Sequence, residues 1–221
     1  MLPWRFPMIV VRDGSCSMRS RVSRDSRVTA SDVATALAVY CSERTSRAYK
    51  DKFITFSDAP RLVDMHNLST LRDKLALAYR ESDCANTNVE AVFDLLLKVA
   101  RKKGVKQEDV PSVLIISDME FDNCAVGHFS EGEGYARADE TLFKSIARRW
   151  EKYGYKMPHL AFWNVCSRTN GVPLQENECG VTLVSGFSPN VMNMMTRGIL
   201  DPYVAMVSVL EGERYKQITI A

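Results

Sequence analysis

No apolar run in the chain approaches the roughly 20 residues that span a bilayer, so no transmembrane helix and no membrane partner are expected. Cysteine is present six times, at positions 16, 41, 84, 124, 166 and 179, but never as Cys-x-x-Cys. Zinc frameworks and dithiol redox motifs need close spacing, so neither is expected. Free thiols fit a reducing cytoplasm, with Cys41 and Cys166 packing as small apolar residues. Histidine is scarce, and His66, His128 and His159 stand far apart. They form no imidazole metal cluster and no Ser-His-Asp or Cys-His arrangement, so no catalytic residue is assigned. Charge of one sign is lacking too: 29 Lys and Arg against 27 Asp and Glu leave +2. That argues against wholesale electrostatic binding to nucleic acid and leaves room only for a local patch. Internal repeats and low-complexity linkers are absent.

What is there is the composition of an ordinary globule, 46% hydrophobic and 25% charged over 221 residues. That length forms a substantial core, read here as a single monomeric domain spanning 1–221. The N-terminal Met1-Leu-Pro-Trp-Arg-Phe-Pro7 has no secretory h-region or small-residue cleavage site, so a cytoplasmic location is expected. With its first strand so near the start, the chain is either a free-standing domain or one module of something longer.

Apolar segments alternate with helical patterns along most of the length. Met8-Ile-Val-Val11 reads as a strand. Thr29-x-x-Asp32 opens a helix as a capping box, with Val33, Leu37, Tyr40 and Cys41 on its apolar face. Lys52–Phe56 is a short strand, and Arg61–Met65 behind Pro60 an antiparallel edge strand. Leu68–Tyr79 follows as a modest helix. Thr87-Asn-Val-Glu90 opens a stronger one, buried through Val89, Val92, Phe93, Leu96, Val99 and Ala100. Arg101-Lys-Lys103 and a left-handed Gly104 close it. Val113-Leu-Ile-Ile116, apolar without alternation, suits a strand buried on both faces. Helix 138–153, strands 159–163 and 181–184, and short helices around 191–195 and 203–210 complete the reading. This order predicts a doubly wound α/β fold: a mostly parallel sheet with one antiparallel edge strand and helices on both faces.

In such a sheet ligands bind outside the carboxyl ends of the strands, near the point where strand order reverses. Asp13 and Asp118 both end apolar strands, so a parallel sheet brings them to one rim. Asp13-Gly-Ser15-Cys-Ser17 adds two hydroxyls in a tight turn, and Thr87, at a helix N-terminus, adds a third. Together Asp13, Ser15, Ser17, Thr87 and Asp118 make an all-oxygen shell suited to Mg²⁺, Mn²⁺ or Ca²⁺. Blander readings stand beside these. Asp, Gly and Ser are ordinary turn formers, Thr87 is placed to cap its helix, and Asp118 is also a polar stop to a strand. Glu120 and Asp122 fit bordering the site better than coordinating in it. Asn164, at a strand end near the rim, has a structural hydrogen bond as its default.

Asp13-x-Ser15-x-Ser17, Thr87 and Asp118, in this order and on these elements, resemble the metal-ion-dependent adhesion site of von Willebrand factor A domains. Segments 87–94, 116–122, 162–165 and 184–190 look like the C-terminal half of an uncharacterised Ro-like A-domain family, in which that half follows an N-terminal helical region. The resemblance implies a Rossmann-like fold in which Ser15, Ser17 and Thr87 contact Mg²⁺ or Mn²⁺ and the aspartates act largely through water. It also implies that a partner's Asp or Glu carboxylate completes the octahedron. Cys16 departs from the pattern, most members having glycine there, and would strain a turn that required φ > 0. Arg19, Arg21, Arg24 and Arg27, opposed by Asp25 alone, follow the metal motif. They read either as a solvated loop or as a positive collar, with Arg21 and Arg24 on a partner-binding rim. The function expected is a divalent-metal-dependent protein-interaction module. The alternatives are a Mg²⁺-dependent phosphohydrolase, which at Ser15 lacks the second aspartate of a haloacid-dehalogenase-like site, and a scaffold of an RNA-associated Ro-like particle. In Ro-like proteins RNA mainly contacts the helical portion, so direct nucleic-acid binding is not expected here.

Overall fold

The computed structural model describes residues 8–45, 47–82, 88–118, 135–166, 174–176, 181–186, 202–213 and 215. The elements are β1 (Met8–Asp13), α1 (Ala30–Arg44), β2 (Lys52–Phe56), β3 (Leu62–Asp64), α2 (Leu71–Arg80) and α3 (Val89–Lys103), then β4 (Ser112–Ser117), α4 (Tyr135–Lys152), β5 (Leu160–Asn164), β6 (Leu174–Glu176), β7 (Thr182–Ser185) and α5 (Pro202–Leu210). Among the described residues seven strands form one sheet in the order β3-β2-β1-β4-β5-β7-β6. β2, β1, β4, β5 and β7 run parallel, and β3 is the antiparallel edge strand expected behind Pro60. At the far edge lies a second antiparallel strand, β6, which the sequence did not signal. Its three residues, Leu-Gln-Glu, are too few to show an alternation.

Strand alternation divides the core into two layers. Met8 and Val10 of β1, with Leu114 and Ile116 of β4, face α1 and α2. Ile9 and Val11, with Val113 and Ile115, face α3 and α4. Helices on both faces make the fold doubly wound, which explains why β4 reads as an unbroken apolar run. Burying each such aliphatic side chain contributes about 1.5–3 kcal/mol.

Local chemistry sets the helix ends. In α1, Asp32 N–H donates to Thr29 Oγ1 (3.1 Å) and Thr29 N–H to Asp32 Oδ2 (2.8 Å), a complete capping box. The buried face of α1 is Ala30, Ala34, Ala38 and Cys41, one step round from the expected stripe. Val33 and Leu37 lie half-buried at its margin, while Tyr40 is 43% exposed beneath the Arg44 guanidinium. Small side chains let this helix lie close to the sheet, and an apolar-residue count passes over alanine. In α3 the cap is Asn88, whose Oδ1 accepts from Ala91 N–H (3.0 Å), so the capping role expected of Thr87 falls to its neighbour. Gly104 closes α3 in the left-handed region at φ 57°, and Val105 N–H returns to the Ala100 carbonyl (2.9 Å). Of the stripe predicted for α3, Val99 is only partly buried and Leu97 takes its place. Among the described residues no helix is long and apolar enough to cross a membrane. The short helix expected near 191–195 lies outside them.

Candidate functional site

Strand order reverses between β1, which leads to β2 on one side, and β4 on the other. A crevice opens at the carboxyl ends of strands at such a switch point. Asp13 ends β1 there and is 2% exposed. Its Oδ1 accepts from Ser15 N–H at 2.8 Å, folding the chain into an Asx turn, and its Oδ2 accepts from the Ser117 hydroxyl of β4 at 2.6 Å. The turn brings Ser15 Oγ to 3.0 Å from Ser17 Oγ. Met18, fully buried, pins the short helical turn Ser17–Arg19 to the core, and the Ser20 hydroxyl donates to the Ser17 carbonyl. Cys16 sits at φ −66°, so its side chain carries no left-handed backbone strain.

Asp118, also buried, follows β4 directly. Burial raises the Asp13 carboxyl above its ordinary value and the Asp118 charge pushes the same way, against the lowering effect of the Ser117 and Ser15 hydrogen bonds. Two carboxylates thus share a poorly solvated place with the hydroxyls of Ser15, Ser17 and Ser117. Among the described residues no three His, Cys, Asp or Glu side chains gather. A center here would draw on two carboxylates, with hydroxyls as its remaining donors. Such a donor set fits a hard divalent cation and not a thiolate-seeking one.

Of the residues singled out from sequence, Asp13, Ser15, Ser17 and Asp118 come together. Thr87, Glu120 and Asp122 lie outside the described residues. Asn164 ends β5 on the same rim, in register with Ser117, and its Oδ1 accepts from Cys166 N–H (3.0 Å), the structural role that was its default. Arg21 and Arg24 are exposed on a loop that is itself well tied. Arg21 bridges Thr29, Val22 N–H donates to the Val28 carbonyl, Ala30 N–H donates to that of Ser20, and Val22 is buried. Sequence reasoning missed Ser117, the residue between the apolar run 113–116 and Asp118. Its signal was a position level with Asp13 on the neighboring strand.

Arg12 was also missed. It points from β1 to the opposite face, is 1% exposed, and hydrogen-bonds Thr35 Oγ1, the Ala78 carbonyl, Ser82 Oγ and Ser31 Oγ. Burial lowers its guanidinium from the ordinary value, while Tyr79 and Asp13 oppose that shift.

A doubly wound α/β domain with a cluster of oxygen-bearing side chains at its switch point is the class that fold and site define. The chain belongs to the family described as Domain of unknown function (DUF7788), whose family model matches residues 7–215. It is similar to Uncharacterized protein L728 of Acanthamoeba polyphaga mimivirus, at 29% identity over 184 residues. The match takes in 81% of this chain and 30% of the viral protein, so the chain spans less than a third of that relative.

Proposed function

We propose that this domain is a cytoplasmic, divalent-cation-dependent interaction module of the von Willebrand A kind, which grips an acidic group of a partner protein through a Mg²⁺-type ion. The observation that carries this reading is the meeting of Asp13, Ser15, Ser17 and Ser117 at the switch point, with Asp118 beside them. Ser15, Ser17 and Thr87 would hold the cation directly, and Asp13 and Asp118 would neutralize it, directly or through water. The bound ion would supply a Lewis-acidic position for a carboxylate oxygen. Mn²⁺ or Ca²⁺ suits the same donors.

Titration calorimetry tests the site. Wild-type protein is expected to bind Mg²⁺ saturably, and Ser15→Ala to weaken that binding about tenfold, the equivalent of ~1.4 kcal/mol for one lost ligand. Full affinity in the variant would end the assignment. Turnover of phosphate esters with Mg²⁺ would instead place the protein among metal-dependent phosphohydrolases.

The acidic character of the partner is supported by the exposed arginines of the 19–27 loop, which immediately follows Ser17. A positive collar beside a cation steers carboxylates toward it, an effect that salt screens. Arg21→Glu combined with Arg24→Glu is expected to slow association with an acidic partner and flatten its salt dependence in stopped-flow measurements. Unchanged association rates at low salt would remove the collar from the account.

A further inference from the structure

Ser57 directly follows β2, and its hydroxyl is buried, with the residue 3% exposed, and has no hydrogen-bond partner among the described residues. A hydroxyl in that condition forfeits the bonds it makes to water in the unfolded chain, so native structures rarely leave one unanswered. Its place in the sheet suggests what answers it. The β1–β2 register ends at Asp13↔Phe56, which sets Ser57 opposite Gly14 one step on. The β1–β4 register, Arg12↔Ile116, continued by two steps sets Gly14 opposite Asp118. Ser57, Gly14 and Asp118 are therefore the first residues beyond the carboxyl ends of three adjacent strands, β2, β1 and β4. The middle position carries no side chain to fill the space. By contrast Tyr49 Oη and Trp150 Nε1, also buried without hydrogen-bond partners among the described residues, belong with Tyr155 to the apolar layer between the sheet and α3/α4. Tyr49 precedes β2, at the end of the strand away from Ser57.

We infer that Ser57 is a further residue of the binding rim, its hydroxyl holding a water of the hydrated cation and extending the site from β1 and β4 to β2. The inference rests on the cation reading given above. It assigns to Ser57 a role opposite in sign to that of a structural hydroxyl. A structural hydroxyl stabilizes the metal-free fold and leaves metal affinity alone. A rim hydroxyl kept for the hydrated ion costs the metal-free fold and supports the loaded one.

Ser57→Ala therefore separates the two, with Ser57→Thr as the hydroxyl-retaining control. Thermal unfolding in chelator is compared with Mg²⁺ titration calorimetry on the full chain. The expected result is an unchanged or raised melting temperature in chelator, a three- to tenfold loss of Mg²⁺ affinity, and recovery of that affinity in Ser57→Thr. Mg²⁺ affinity within twofold of wild type in Ser57→Ala overturns the inference. So does a lowered melting temperature in chelator, which would mean that the hydroxyl already serves the fold. Wild-type protein that takes up no Mg²⁺, Mn²⁺ or Ca²⁺ overturns the cation reading itself, and the inference with it.

Discussion

Arg12→Ala is expected to lower the free energy of unfolding by about 3–5 kcal/mol, the range for stripping one charged member from a buried polar network. The guanidinium ties three elements together: Nε donates to Thr35 Oγ1 of α1 at 2.8 Å, Nη1 to the Ala78 carbonyl of α2 at 3.1 Å and to Ser82 Oγ at 2.8 Å, and Nη2 to Ser31 Oγ at 3.0 Å. The Tyr79 ring lies beneath it, 5.7 Å from Cζ to the centroid, within cation–π range. Ala78 is in the last turn of α2, where the helix dipole is negative and favors a cation. Truncation would leave a cavity and strand the Thr35 hydroxyl and a buried carbonyl without their donor. Lysine cannot restore the fork of donors, so Arg12→Lys should recover only part of the loss. Urea unfolding of the two variants checks this. An alanine variant within about 0.5 kcal/mol of wild type, the ordinary range for surface changes, would show the network to be dispensable.

Asp13→Asn should produce changes of opposite sign in the metal-free and metal-loaded protein. Burial and Asp118 raise the Asp13 carboxyl in the folded state, so the folded chain holds this proton more tightly than the unfolded one. Its contribution to stability is fully present below the ordinary value of 3.8 and is lost as pH rises through the folded value. At neutral pH the ionized, metal-free side chain is therefore a cost. Asparagine keeps the shape and an acceptor for Ser15 N–H while removing the charge. In chelator at pH 7 the variant is expected to melt about 2–4 °C above wild type, the shift that ~1 kcal/mol gives a chain of this size. The advantage should shrink as pH is lowered toward 4. Its Mg²⁺ affinity should fall at least 100-fold, about 2.7 kcal/mol, because an anion has gone from the cation's surroundings. A variant that melts lower in chelator and still binds Mg²⁺ would contradict both halves.

Much of the architecture was legible in the sequence because its signals are local. The Thr29–Asp32 capping box, the left-handed Gly104 and the unalternating 113–116 run each announce their structure within a few residues. That Asp13 and Asp118 lie at one rim was legible because parallel strands send their carboxyl ends to one edge. What escaped depends on contacts between segments. Arg12 looks like a polar strand residue until α1 and α2 close over it, and Ser117 acquires its role only from its neighbor across the sheet. Thr87 and Asn88 are both good capping residues. Which of them caps α3 is decided by where the first turn begins. The face of α1 was misplaced because its contact surface is built from alanine, which carries little weight in a hydrophobic pattern.

The two outermost strands, β3 and β6, are three residues each, and both run against their neighbors. A flank that short offers an incoming peptide few main-chain amides and carbonyls to extend, so recognition by strand donation finds little template there. In the interaction role proposed above, specificity would fall to side chains displayed where the strands end. A sheet built this way can also be crowded among its own copies without inviting edge-to-edge growth.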